Sequence, residues 1–521
     1  MNFKIKLNKI DVRLELFFNK PKIFIPIIIL SSILVRLYYA PFELPVASDA
    51  IVYFSYAMDI TTLRNFPNYL ISNDGWAILL SFFFMILPSQ EFIDYMIVQR
   101  LLSITLSSLT VIPVYLLCRK FFGVNYSLIG VIFFTFEPRL IQNSLLGITE
   151  PLYILFGSSS IVLLLHIKKK YNVLSFFIIG LLSIVKIEGV FLFFAISLMF
   201  FIKNKLKLKT IKVYLVGISI FLSTLGLMIL IRINVSGRDY SSDRIQYSTK
   251  DLIQSSIADE GSSFIIDGLI NLIKFLGWDL IPIFILFVPI GFIILIKNRN
   301  VNKIIILIPI IVMMFPAFYA YAAKAFDTRY LFILYPFFSI LSLYTIELFI
   351  KKSKKKNLIF TIIIFSLLIT SISFIEYKKI DIEHEREALK LSYEVIKRTE
   401  IFNEYYPESQ YVIIPELSNL GKFPTLTSGI FDKFNGRPNN ENNLQDYLEV
   451  GYINGLTHLI VDNKEYPEYR MKFFKDIFEN EENYPYLTKI FDSKDFGYDY
   501  KLKIFEINYE EFDKYFSNKV K

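Results

Sequence analysis

Cysteine is almost missing from this chain: Cys118 stands alone in 521 residues, so no intrachain disulfide can form. With only three scattered histidines, His166, His384 and His458, the usual zinc frameworks are excluded as well. No GxGxxG, GxxxxGK, HExxH or GxSxG element occurs, which argues against nucleotide-driven chemistry. Charge is also scarce. Charged residues make up 20% of the chain against 54% hydrophobic, and a mean hydropathy of +0.46 excludes an ordinary soluble enzyme.

What the sequence has instead is long apolar runs. A bilayer core of roughly 30 Å takes about 20 such residues per helix. The runs Ile23 to Tyr39, Leu101 to Leu117, Leu128 to Phe136, Pro151 to Leu165, Val173 to Val185 and Val190 to Ile202 open the series. Val213 to Ile231, Trp278 to Ile296, Ile304 to Tyr321, Tyr330 to Ile350 and Leu358 to Ile375 complete it. Together they predict an α-helical polytopic membrane protein of about 11 transmembrane helices. The basic start and the long apolar stretch behind it, with no small-residue cleavage site, read as a retained anchor.

A surplus of 56 Lys+Arg over 48 Asp+Glu would suggest a nucleic-acid partner in a soluble protein, but its position says otherwise. Basic residues gather at the N-terminus, Arg119-Lys120, Lys168 to Lys170, Lys203 to Lys212, Lys297 to Lys303 and in KKSKKK from Lys351. These are alternate connections, so they and the N-terminus are assigned to the cytoplasm. The other connections, and everything after Ile375, are then external. No nucleic acid is expected as a partner, and the expected location is the plasma membrane of a prokaryote.

Two domains follow: a membrane domain over 1–375, including an external loop at 40–99, and an external soluble α/β domain over 376–521. The loop contains GWAILLSFFFMILP, too short to span and read as a helix at the outer interface. Asn234 to Gly277 is polar and serine-rich and reads as a mobile loop or lid. In the second domain KKIDIEHEREALKLSYEVIKRTEIF has helical periodicity, while YVIIPEL, THLIVD, YLTKIFD and YKLKIFEINY read as strands.

Ionisable residues at the outer ends of the apolar runs are the candidates for chemistry. Asp49, in PVASDAIVYFSYAMDI, can act as general base toward a hydroxyl or hold a divalent cation; it can equally cap the helix that follows, in rivalry with Ser48. Glu150, in LLGITEPLY, sits where a helix dipole favours an acid. Arg100 and Arg329 stand at other outer ends, where snorkelling is the plain alternative. Lys186 and Glu188 can pair with each other, and Asp327 can partner Lys324 or Arg329. All lie on one side by the charge argument. Cations there suit a phosphate, and a facing carboxylate suits an acceptor hydroxyl or amide.

At these residues the chain resembles the GT-C superfamily of membrane glycosyltransferases, in particular its protein O-mannosyltransferase and lipid A aminoarabinose transferase-like branch. The resemblance covers roughly Ile23 to Ile375 and rests on SDAIVYFSYA, RLLSITLSSLTVIPVYLLCRKFFG, EPRLIQNSLLGITEPLYILF and DTRYLFILYPFF in that order. It implies transfer of a sugar from a polyprenyl-phosphate carrier to a protein or glycolipid acceptor on the external face, with inversion. It further implies Asp49 as base or acceptor-orienting acid, Glu150 as a second acid, and Arg329 with Lys324 as phosphate contacts. Arg100, Lys186 and Glu188 count among the substrate-binding candidates. No Asp-x-Asp pair sits at Asp49 and no metal ligand is assigned, which leaves a divalent cation as an open option. Two rivals remain: an oligosaccharyltransferase or ligase moving a preassembled glycan, and a polytopic transporter, whose charges belong near the bilayer midplane.

Overall fold

The computed structural model of the chain describes residues 20–239, 261–297, 302–399, 443–462 and 472–519, apart from 47–48, 68, 70, 72, 90–91, 205–206, 352–355 and 454–456. It divides into two compact units, Met1–Pro41 with Asp49–Tyr377, and Phe42–Ser48 with Lys378–Lys521.

The first unit is all helix. Pro21–Tyr39 (α1) starts on a proline, which has no amide to leave unpaired in a first turn. Asp49–Leu63 (α2) and Gly75–Ile86 (α3) occupy the expected external loop and pack together. Phe92–Leu109 (α4) runs into Val111–Cys118 (α5); the break falls where Pro113 has no N–H for the Leu109 carbonyl. Val124–Thr135 (α6) and Pro138–Leu145 (α7) meet at a 50° bend. There the Glu137 side chain accepts from the Arg139 amide and Pro138 begins the new helix. Glu150–Leu164 (α8), Lys169–Val185 (α9), Gly189–Asn204 (α10) and Leu208–Ser236 (α11) follow, α9 packing on both α8 and α11.

Gly261–Leu280 (α12), Val288–Lys297 (α13), Asn302–Ala322 (α14), a 3-10 turn at Thr328–Leu334, Tyr335–Lys351 (α15) and Lys356–Thr399 (α16) complete the series. Among the described residues, six helices are long and apolar enough to cross a membrane, or seven if the bent pair counts as one span. The protein is thus an integral membrane protein, with fewer full-length spans than the eleven expected. The difference has local causes. Pro282 splits the expected helix Trp278 to Ile296, leaving α12 and the ten-residue α13 on either side. Glu150–Leu164 and Gly189–Asn204 are also short. The expected loop from Asn234 to Gly277 is helical from Gly261 onward, while 240–260 lie outside the described residues.

Burial separates the centre of the bundle from its periphery: 78% of the span over Thr328–Lys351 is buried, against 17% for Pro21–Tyr39 and for Leu208–Ser236. The large apolar side chains exposed on the peripheral helices, Leu222, Leu227 and Leu230 among them, suit lipid. The buried face of α1 nevertheless carries a charge. Arg36 donates to the hydroxyls of Ser32 (2.6 Å), Ser144 (3.0 Å) and Ser107 (3.2 Å), and twice, at 3.3 Å, to the carbonyl of Thr135. That carbonyl ends α6 and has lost its helical donor to the bend.

The second unit contains a three-stranded antiparallel sheet in the order β1-β3-β2, from His458–Asp462 (β1), Leu487–Asp492 (β2) and Leu502–Ile507 (β3). Ile460 pairs with Ile504 and Thr488 with Glu506. Leu459, Val461, Phe505 and Ile507 face a core closed by Tyr447, Ile477 and Phe512 from three short helices. The predicted strand YVIIPEL lies outside the described residues. Glu387, within α16, accepts from the amides of Asp499 and Tyr500 at 2.5 and 3.0 Å and so ties that helix to the turn before β3.

Candidate functional site

Two acid–cation groups converge at one end of the first unit. The first is built on Asp327, which starts the 3-10 turn: its Oδ1 accepts from the Arg329 amide at 2.9 Å and its Oδ2 from Arg329 Nε at 2.6 Å. One carboxylate therefore fixes both the backbone and the side chain of Arg329. Tyr321 steadies it by donating to the Asp327 carbonyl at 2.9 Å. The remaining edge of the guanidinium reaches α2, where Nη1 donates to Asp49 Oδ2 at 3.0 Å. Asp49 is the first helical residue, but its described contact is this long-range one; Ser48, its rival as a cap, lies outside the described residues.

The second group is deeper. Glu150 opens α8 after a turn at Gly147, whose φ of +77° favours glycine and whose carbonyl accepts from Trp76 Nε1 (2.9 Å) and Gln99 Nε2 (2.7 Å). Lys186, at the extended break between α9 and α10, donates to Glu150 Oε1 at 2.8 Å. The rings of Tyr153 and Tyr330 lie 5.5 and 5.9 Å from its ammonium. Burial alone would lower the Lys186 pKa, but the Glu150 and Glu188 carboxylates outweigh it and hold the ammonium above its ordinary range. The exposures rank the two groups: Glu150 and Lys186 side chains are 4% and 9% exposed, Arg329 and Asp49 27% and 52%. Glu150 and Lys186 form a floor, Arg329 and Asp49 a rim.

Between them lies a cavity of about 200 Å³, lined by these residues with Glu188, Asp327, Tyr53, Asn73, Thr149 and Tyr330. Four carboxylates thus face two cations. Asp49, Asp327 and Glu150 are each hydrogen-bonded to Arg329 or Lys186, and among the described residues no three His, Cys, Asp or Glu side chains gather as a metal cluster. The arrangement can present an acid to an incoming proton and a guanidinium to an incoming anion.

Five of the seven candidate residues meet here: Asp49, Glu150, Lys186, Glu188 and Arg329. Arg100 does not. It is buried elsewhere, donating to the carbonyls of Leu145 (3.1 Å) and Pro41 (3.0 Å), where it secures the end of α7 and the exit from α1. Lys324 does not either; it is exposed on a turn with φ of 61° and does not line the cavity. Lys186 takes Glu150 as its hydrogen-bonded partner, where the sequence offers pairing with Glu188 as one alternative. Asn73, Thr149 and Tyr330 escaped sequence reasoning because an uncharged residue in a loop, just before a helix or at the start of an apolar run carries no charge signal that sets it apart. The one local hint is the turn-like Asn-Asp-Gly at 73–75.

No protein-family model matches the chain, and no curated protein sequence matches it. Solved structures do. ArnT from Cupriavidus metallidurans bound to undecaprenyl phosphate superposes with a TM-score of 0.55 at 7% identity, over 92% of this chain and 97% of that one. The oligosaccharyltransferase of Archaeoglobus fulgidus with a tethered NVT-sequon acceptor peptide gives 0.54 at 13% identity, over 85% and 69%. The same archaeal protein with an inhibitory peptide and a dolichol-phosphate gives 0.54 at 12% identity, over 85% and 70%. At such identities the likeness is one of fold: the chain has the GT-C fold.

Proposed function

We propose that this chain is a glycosyltransferase that moves a sugar from a polyprenyl-phosphate carrier to an acceptor at the external membrane face. The observation that carries the reading is the juxtaposition, on one cavity, of an exposed acid with a guanidinium already gripped from behind by a second acid. Solved proteins of this fold hold undecaprenyl phosphate in one case and a dolichol-phosphate or an acceptor peptide in the other.

The chemistry follows from which contacts are replaceable. Asp327 holds Arg329 through Nε and the backbone amide, so the guanidinium stays aimed when Nη1 changes partner. The donor phosphate takes Nη1, Asp49 is released, and the freed carboxylate accepts the acceptor's proton. The acceptor oxygen or nitrogen bonds to the anomeric carbon as the bond from that carbon to the phosphate oxygen breaks, with inversion. The electron pair leaves on the polyprenyl phosphate, whose growing charge Arg329 stabilises in a partly dehydrated cleft. Lys186, Glu150 and Glu188 face the sugar hydroxyls. The glycosyl phosphate supplies the driving force, so no nucleotide is required. Basic residues in alternate connections support an N-terminus in the cytoplasm and a cleft that opens outside. The second unit is assigned acceptor selection or partner docking there.

A cavity of about 200 Å³ lies below the usual range for drug-sized ligands and has room for one sugar ring, which favours a single sugar over a preassembled glycan. The test is transfer from undecaprenyl-phosphate-linked sugar by the purified protein in nanodiscs. Asp49→Asn should cut it about a thousandfold while the protein stays folded. Solute flux across liposomes with a silent Asp49→Asn would establish a transporter instead. Transfer only from oligosaccharide carriers would establish the ligase.

A further inference from the structure

Three consecutive residues, Asn73, Asp74 and Gly75, lead into α3, and each meets a different neighbour. Asn73 is in the left-handed region at φ 63°, lines the cavity, and accepts the Ile187 amide at Oδ1, 3.3 Å away. Asp74 is 1% exposed and stands where a helix-capping acid belongs, yet its carboxylate makes no cap. Both its oxygens go to Arg232 near the end of α11, one receiving Nε at 2.8 Å and the other Nη2. Arg232 Nη1 in turn donates to Asp239 at 3.0 Å. Gly75 lies so close to the end of α9 that an added Cβ would stand 2.8 Å from the Val185 nitrogen and 2.9 Å from the Ile184 carbonyl carbon.

Ile187 separates Lys186 from Glu188, the two charged residues that the α9–α10 break gives to the cavity. Lys186 and Gly189 keep backbone bonds to Leu182 and Lys186 at 2.8 and 2.9 Å, whereas the Ile187 amide between them is held by the Asn73 side chain, so that grip helps set where Lys186 points. We infer that the buried Asp74–Arg232 pair is a positioning lock: it pins the start of α3, so that Asn73 holds the 186–188 tip and aims Lys186 at Glu150. The inference rests on the cleft being the transfer site. It adds three residues, none of which touches the reacting atoms through the lock itself.

Asn73→Gly tests the grip, because glycine keeps the left-handed turn at no steric cost; it also removes the Asn73–Tyr53 hydrogen bond, so Tyr53→Phe, which deletes that bond alone, should leave exchange at Ile187 unchanged. In Asn73→Gly, exchange of the Ile187 amide, read by mass spectrometry on a peptide covering 184–190 in nanodiscs, should accelerate at least about tenfold. Turnover of undecaprenyl-phosphate-linked sugar should fall on the order of tenfold to a hundredfold, with an unchanged thermal midpoint. Asp74→Asn should do both. Adding Arg232→Gln with Asp239→Asn, which makes all three hydrogen-bonded partners neutral, should recover the protection and part of the turnover. Wild-type protection at Ile187 in both Asn73→Gly and Asp74→Asn overturns the lock, whether or not the protein transfers sugar. Lost protection with wild-type turnover overturns its positioning role. A wild-type protein without transfer activity overturns the functional reading, while the exchange rates still decide the lock.

Discussion

Arg36, buried on the inner face of α1, and Arg329 at the rim of the cavity are the same side chain in opposite company. Arg36 is 1% exposed and spends its donors on serine hydroxyls and one helix-ending carbonyl. Arg329 is partly open to solvent and lies between two carboxylates. Neutral oxygens buried with a cation have nothing better to bind, so the first arrangement can only hold helices together. An acid that water can reach can be exchanged for another anion, so the second can bind and release. Burial and partner chemistry together, not residue type, separate scaffold from site.

The contrast breaks first at its buried end. Arg36→Met should destabilise the protein by roughly 2–4 kcal/mol, since the Thr135 carbonyl and its serine neighbours lose their donor. Activity should fall only in step with the folded fraction measured by size-exclusion chromatography. Arg329→Lys tests the other end: it keeps the charge but cannot hold Asp327 side-on and reach Asp49 together, so transfer should drop about a hundredfold at constant folded fraction.

An intermediate case sharpens the rule. Asp59 of α2 accepts a hydrogen bond from Tyr69, while its Oδ1 is buried without a hydrogen-bond partner among the described residues. Burial outweighs the Tyr69 bond and pushes the carboxyl up to about 6. A raised acid contributes stability that is complete below the ordinary carboxylate range and lost as pH climbs through about 6. Asp59→Asn should therefore raise the thermal midpoint at pH 7.5, by the equivalent of about 1 kcal/mol, and leave it unchanged at pH 4. The smallest effect belongs to Lys324→Gly, which relieves a left-handed lysine outside the cavity and should change transfer by less than about twofold.

The sequence made half of this comparison legible. Charges at the ends of apolar runs are few, so placing Asp49, Glu150, Lys186 and Arg329 on one side narrowed the site to a handful of residues, and the structure brings those four to one cavity. The same reasoning admitted Arg100, because a terminal arginine looks alike whether it points to a cleft or to the carbonyls of Leu145 and Pro41. Direction is set by packing, which a run of letters does not encode. Arg36 went unremarked for the same reason: one charge inside a span gives no hint of a serine one turn back and of serines on two other helices. Pro282 was a readable breaker, but inside a strongly apolar run hydropathy masked it.

The contact between Asp49 and Arg329 has a consequence for which anions the cleft passes over. Chloride, free phosphate and the headgroups of ordinary phospholipids meet a guanidinium whose last open edge is already taken by a tethered rival, present at the high local concentration that tethering confers. A visitor that brings only negative charge must outcompete that rival unaided, whereas the proposed polyprenyl-linked donor would be anchored also by its tail and its sugar. Discrimination in such a cleft starts with a threshold set by the protein against itself.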